Sequence, residues 1–217
     1  HYTRTGGADQ KSRRSEYANI VLIDGRNVML TLRQIIEEAE FLVPDDTIDT
    51  SMNVLWLNHI NQEFFNVVKI PEVQSFLSEK GKDEYVLNSN IRQKNIDLVM
   101  IGLTRYYPLN ENTRPLTNWY HFSDTTNTLT VSPAPYDSDM LGYVRYHQIA
   151  TTTFVPSNLN ATPDAPEEYH YLYIPALCAY RAKAQDDLEK AQMYENDYRS
   201  GLNMAAMNYQ SQQEVTP

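Results

Sequence analysis

Pro163-Asp164-Ala165-Pro166-Glu167-Glu168 opens the last quarter of the chain, and the run that follows it decides how the rest is read. From Leu188 the apolar positions fall at Ala191, Tyr194, Tyr198, Leu202 and Ala205, steps of three or four that hold one stripe on one side of a helix. Pro166 suits a first helical turn, where its missing N–H would have no partner, and Glu167 and Glu168 suit the positive end of the helix dipole. Pro175 is expected to kink this helix or divide it. After Asn208 the period fades, so residues 210–217 are expected to form a loose tail unless a partner holds them. A stripe shows only that something covers it: Tyr194, Tyr198 and Leu202 are either helix-on-helix core or a subunit interface.

Upstream, the first helical signal is a capping box. Thr31 is followed three residues later by Gln34, and Leu32, Ile35, Ile36, Ala39 and Val43 then give a stripe that stops at Pro44. Asp49, Thr50 and Ser51 offer caps for a second helix through Val68. It carries Val54, Leu57, Ile60, Phe64, Val67 and Val68 on one side, with Asn58, Asn61 and Gln62 elsewhere. Two helices joined by a short acidic turn are expected to pack as a hairpin. Residues 1–19 are polar and basic without a period, and Met29, just ahead of the first helix signal, is a candidate translation start.

Between these helical ends lies strand territory. From Pro71 to about Ala150, β-branched and aromatic residues come in short runs between Asn, Asp, Gly, Pro and Ser. The runs predict strands at 75–78, 84–87, 96–103, 119–122, 128–131 and 141–147, with turn-like segments at 123–127 and 132–139. They are too contiguous for alternating β-α units, which favours an antiparallel sheet or small sandwich. The expected organisation is an N-terminal arm (1–28), a helix pair (29–70), a β-rich insertion (71–150), a linker with C-terminal helices (151–209) and a tail (210–217). The fold class is α+β: N- and C-terminal helices form a bundle, and the central antiparallel sheet or sandwich is inserted between them.

Composition narrows the function classes. The 217 residues carry a formal charge of −10, against the clustered Lys and Arg that a grip on DNA phosphates requires. Residues 1–28 hold five basic and three acidic side chains, which leaves thirteen basic and twenty-five acidic in the rest. Sixteen tyrosines against six phenylalanines favour interfaces, where one end of the ring is buried and the other is wet. Cys178 is the single cysteine, set among Ala176, Leu177 and Ala179, and reads as a small buried hydrophobe. No run reaches the length of a membrane helix, and Ile20-Val21-Leu22-Ile23 is too short for a signal-peptide core, so a soluble protein is expected.

Sequence-local chemistry is sparse. His1, His59, His121, His147 and His170 stand far apart, with no His-Glu-x-x-His, no Gly-x-Ser-x-Gly and no glycine-rich phosphate loop. Asp137-x-Asp139 offers two carboxylates to a cation that would need about six to eight oxygen ligands, so a solvated turn is the plainer reading. No catalytic residue, cofactor or metal is assigned. Two other function classes fit the same residues. One is a secreted or surface module that binds carbohydrate or protein through exposed Trp119, Tyr120 and Phe122. The other is a hydrolase whose carboxylates converge only after folding.

The leading helix Leu30–Val43, the Leu57-Asn58-x-x-Asn61 helix, the β-rich middle, and the ending Ala165-Pro166-Glu167-Glu168-Tyr169-His170, Tyr180-x-Ala182 and Ala191-x-x-Tyr194-x-x-x-Tyr198 together resemble the head-to-tail adaptor (connector) proteins of tailed bacteriophages. The likeness covers roughly Met29 to Asn208. It implies a structural, non-enzymatic virion protein: a homo-oligomeric ring, a dodecamer, beneath the portal protein and above a tail or nozzle protein. DNA would pass through the bore without sequence-specific binding, and no membrane is involved. It further implies assembly in the host cytoplasm and residence at the head–tail junction. Portal contacts would fall on Met204, Met207, Tyr209, Gln210 and Gln213, and the turn with Tyr136, Asp137 and Asp139 would face the tail.

Overall fold

The computed structural model describes residues 29–109 and 118–213; the expected arm 1–28 and the end of the tail lie outside them. Among the described residues, four α-helices and seven strands follow the α+β order, with the β region between an N-terminal and a C-terminal helix pair. The described residues divide into two compact units, one from 29–60 and 154–199, the other from 61–109, 118–153 and 200–213.

In the first unit, helix α1 (Leu32–Leu42) starts as its sequence requires. Thr31 N–H donates to Gln34 Oε1 at 2.9 Å, and Gln34 N–H donates to Thr31 Oγ1 at 3.4 Å, which closes the capping box. The next amides of the first turn, Leu32 and Arg33, donate to the carbonyls of Ala161 and Leu159, both at 2.9 Å. The segment read as a polar linker thus satisfies donors that a helix cannot satisfy internally. Just upstream, Leu30 N–H donates to His170 Nδ1 at 3.1 Å, and His170 Nε2 lies 2.8 Å from the Ala165 carbonyl. With Nδ1 accepting and Nε2 donating, the buried imidazole bridges two segments far apart in sequence.

Helix α2 (Thr50–Val67) is capped by Asp49, whose Oδ1 accepts from Met52 N–H at 2.8 Å. Its buried positions include Val54, Leu57, Ile60 and Phe64, but two expectations fail. Val67 is exposed while Phe65 is buried, and Asn61 is fully buried rather than on the polar side, as is Asn53. The buried arc is wider than the apolar stripe, so polar side chains at the right angular position are enclosed with it. Asn58, also read as a surface residue, is half-buried and clamps Phe154: Oδ1 accepts its N–H at 2.7 Å and Nδ2 donates to its carbonyl at 3.0 Å.

The C-terminal run departs from its sequence reading at two prolines and a pair of aspartates. Pro166 precedes a 3₁₀ segment, Glu167–Leu172, before helix α3 (Tyr173–Ala184) begins. Pro175 is the third residue of α3 and neither kinks nor divides it, because amides of the first turn have no partner to lose. The break comes at Gln185–Asp187: Asp186 adopts a left-handed φ of 57°, and Asp187 Oδ1 accepts from Lys190 N–H at 3.1 Å to start helix α4 (Leu188–Gln213). Helix α4 continues past Asn208, where a loose tail was expected. Helix α3 is buried nearly all round, through Tyr173, Ala176, Leu177, Cys178, Ala179 and Ala182, and its alanines let α1 approach closely.

Arg181, with no exposed surface, fixes that approach. Its Nε donates to the Val43 carbonyl at 2.9 Å, Nη1 to Asn53 Oδ1 at 2.9 Å and Nη2 to the Asp45 carbonyl at 3.3 Å, while Glu40 Oε1 lies 3.7 Å from Nη1. Gln185 Nε2 donates to the Pro44 carbonyl at 2.9 Å, and Lys190 Nζ donates to that of Leu42 at 3.1 Å. Four successive carbonyls at the end of α1, Leu42 to Asp45, therefore accept from side chains of the C-terminal helices. Two of the three donors are cations at the negative end of a helix dipole.

The second unit is built on one seven-stranded sheet. Its strands are β1 (Pro71–Leu77), β2 (Glu84–Val86), β3 (Ile96–Ile101), β4 (Thr104–Pro108), β5 (Trp119–Ser123), β6 (Thr128–Ser132) and β7 (Leu141–His147), in the order β1-β7-β3-β4-β5-β6-β2. All pairings are antiparallel but one: β4 and β5 run parallel, Tyr107 opposite Trp119. The run 96–103, expected as one strand, ends at Ile101. Gly102, with φ +57°, and Leu103 turn the chain into β4, which the sequence reading did not separate. Tyr85, Leu129, Phe122, Val99, Tyr106 and Tyr146 are among the inward side chains of the core. The sheet curls so that Phe76 of β1 meets Tyr85 of β2, ring centroids 4.5 Å apart, and Gln74 Oε1 accepts from Asn88 N–H at 2.9 Å. Gly142 permits this curl: a Cβ there would lie 2.5 Å from the Phe76 ring.

Replacing Arg181 by Met is expected to cost about 3–5 kcal/mol in urea unfolding, since it leaves buried acceptors unpaired. Lys at this position should recover only part, because an ammonium cannot span the same fork; an unchanged midpoint for R181M would refute the role. Burial pushes the Cys178 thiol up to about 12 against the pull of Arg181 and Lys190. Thiol reagents at neutral pH should therefore leave the folded chain unlabelled and react once it is denatured.

Candidate interaction surfaces

The residues singled out on α4 divide between its two sides. Ala191, Tyr198, Leu202 and Ala205 are buried within the chain, and Tyr194 is half-buried. Tyr198 also stands close enough to Tyr173 to help raise that hydroxyl well above its ordinary pKa, after burial as the main cause. On the other side Met204 and Met207 are 56% and 66% exposed, and Gln210 is exposed; at three-residue steps they line one side of a helix. Tyr209 is half-buried, and Gln213 ends the helix.

The loop after β6 presents Tyr136 at 74% exposure, with Asp137 and Asp139 also exposed. Its base is fixed by buried Ser78. The Ser78 hydroxyl donates to the Asp137 carbonyl at 2.9 Å and accepts from Met140 N–H at 3.1 Å, while Ser78 C=O accepts from Asp139 N–H at 2.8 Å. Lys80 N–H and Gly81 N–H donate to Ser138 Oγ and the Pro135 carbonyl, at 3.0 and 2.9 Å. An exposed tyrosine on a tied loop loses little freedom when it is buried by a partner. Asp137 Oδ1 accepts from Ser138 N–H at 3.2 Å, as in an ordinary turn.

Among the described residues, no three His, Cys, Asp or Glu side chains are grouped so as to hold a metal ion. His59 and His121 are exposed, His147 Nδ1 lies 3.6 Å from Asp97 Oδ1, and His170 serves the helix junction. The aromatic run proposed as an exposed binding face does not form one: Tyr120 and Phe122 point into the core and Trp119 is half-buried. Burial, aided by the Asp97 charge, pushes the Tyr120 hydroxyl up to about 12. The sequence reading did not single out Val73, Leu77 and Leu141, which share the outer face of the sheet. Their two-residue spacing in Val73-x-Ser75-x-Leu77 and Leu141-x-Tyr143, with half-buried neighbours in β1 and buried Gly142 and Val144 in β7, was the available signal.

Tyr198→Ala is expected to destabilise the isolated chain by about 3–5 kcal/mol, as for other buried aromatic truncations. Met204→Ala or Met207→Ala should stay within about 0.5 kcal/mol. Urea denaturation of the three variants checks the division of α4 into a packed side and an open one.

No curated protein matches the chain. The SU10 adaptor protein family matches residues 30–217, from the residue whose amide is held by His170 to the last residue. The match takes in both helical ends and the whole β region, and on that extent the chain belongs to the SU10 adaptor protein family.

Proposed function

We propose that this chain is a structural protein of a phage virion, a head-to-tail adaptor whose copies form a ring between the portal and the tail and line the channel through which DNA leaves. The observation that carries the reading is the family match over residues 30–217. An adaptor family implies a non-enzymatic role, with other virion proteins rather than small molecules as partners. Further support comes from charge. A net −10 on each copy is compatible with an acidic bore, which would repel phosphate and let a duplex slide where a basic bore would retain it.

In this reading the ring is a dodecamer, assembled in the host cytoplasm and retained at the head–tail junction. Met204, Met207, Tyr209, Gln210 and Gln213 meet the portal, because methionine and tyrosine suit adaptive interfaces. The tied loop with Tyr136, Asp137 and Asp139 meets the next tail component, a tail or nozzle protein. No helix among the described residues is long and apolar enough to cross a membrane.

Native mass measurement of the chain mixed with the portal ring of its own phage tests the assignment. Ordered multimers on the portal are expected, and a monomer indifferent to the portal would overturn it. Deleting residues 210–217 should weaken docking and spare the thermal unfolding midpoint; undiminished docking would remove the portal assignment of that segment.

A further inference from the structure

The strands β1, β7, β3 and β4 have an outer face opposite the core. Residues directly paired across strands share a face, and the register sets Val73 beside Arg145, Leu77 beside Leu141, Tyr143 beside Met100 and Met100 beside Arg105. Val73, Leu77 and Leu141 are 58%, 60% and 58% exposed. Arg105 and Arg145 are exposed too, and among the described residues neither guanidinium forms an ion pair. Arg105 lies over the Tyr107 ring, 5.1 Å from its centre, and Tyr143 donates its hydroxyl to Met100 Sδ at 2.9 Å, so the polar tips on this face are partly pre-positioned. No carboxylate stands in these paired rows.

We propose that this face is the docking surface for a second copy of the chain, whose carboxylates pair with Arg105 and Arg145 while its apolar side chains cover Val73, Leu77 and Leu141. The inference deepens the ring reading above and rests on it. Charge complementarity selects the occupant. Each copy carries 28 acidic against 18 basic residues, so a neighbouring copy presents the carboxylate surplus that two guanidinia without an ion pair among the described residues can take. A symmetric pairing of this face with itself would bring the guanidinia no carboxylate, since none stands in its paired rows. The contact is therefore heterologous, the kind that propagates from copy to copy and closes into a ring. Duplex DNA is a poorer occupant: two guanidinia on a strongly acidic chain neutralise few phosphates, and the leucines and valine contribute nothing to phosphate binding.

The test uses the full chain and the portal ring of its own phage, with native mass measurement of the assembled species at low and high salt. Arg105→Glu/Arg145→Glu is expected to weaken multimer formation by more than about tenfold and to leave the thermal midpoint unchanged. Arg105→Lys/Arg145→Lys should retain assembly in low salt, and Leu77→Gln/Leu141→Gln should weaken it at both salts. Wild-type multimers accompanied by equal multimers of the glutamate variant would overturn this face and leave the adaptor reading standing. A wild-type chain that never multimerises would overturn both. Loss of duplex binding with intact multimers in the glutamate variant would reassign the face to DNA.

Discussion

A buried guanidinium holds the first unit together. Arg181 reaches from the last turn of α3 to the end of α1, where a helix leaves carbonyls without partners, and fills those acceptors with a fork of donors. Enclosing such a charge would be costly if its hydrogens were unsatisfied; with Val43, Asp45 and Asn53 as acceptors the cost is offset, and the geometry admits one arrangement of the helices. Gln185 and Lys190 continue the same function along Pro44 and Leu42. The two ends of the chain are thereby locked through backbone groups that any sequence would possess at the end of α1, and the specificity lies in the donors.

The opposite end of α1 follows the same logic with the roles reversed. There the orphan groups are N–H donors, and Leu159 and Ala161 supply carbonyls beside the Thr31–Gln34 box. His170 and Asn58 extend this pattern to Leu30 and Phe154. Segments without helix or strand are therefore not passive connections. Leu30, Phe154, Leu159 and Ala161 each give an amide or carbonyl to a helix side chain or to the first turn of α1.

The β unit separates two jobs by the period of its strands. One face of β1, β7, β3 and β4 carries Val144, Tyr146, Val99, Ile101 and Tyr106 into the core; the other carries Val73, Leu77, Leu141, Arg105 and Arg145 outward. The curl that Gly142 permits brings the edge strands together through Phe76 and Tyr85, so backbone edges that would otherwise invite indiscriminate pairing are approached by side chains of the same sheet.

Much of this was legible from local pattern. The Thr31–Gln34 box, the Asp49 cap, the buried cysteine and six of the seven strand positions follow from residue spacing and side-chain chemistry within a few residues, which act before any distant contact exists. The arm and the interface assignments drew on composition and resemblance instead. Long-range partners decided the rest. Whether Asn61 is buried, whether Pro175 interrupts a helix, where 96–103 turns at Gly102, and which strands line up so that Arg105 and Arg145 share an apolar face all depend on groups far away in sequence. Periodicity states that a side is covered; only packing and register, set by the summed burial and hydrogen bonding of the whole chain, determine by what.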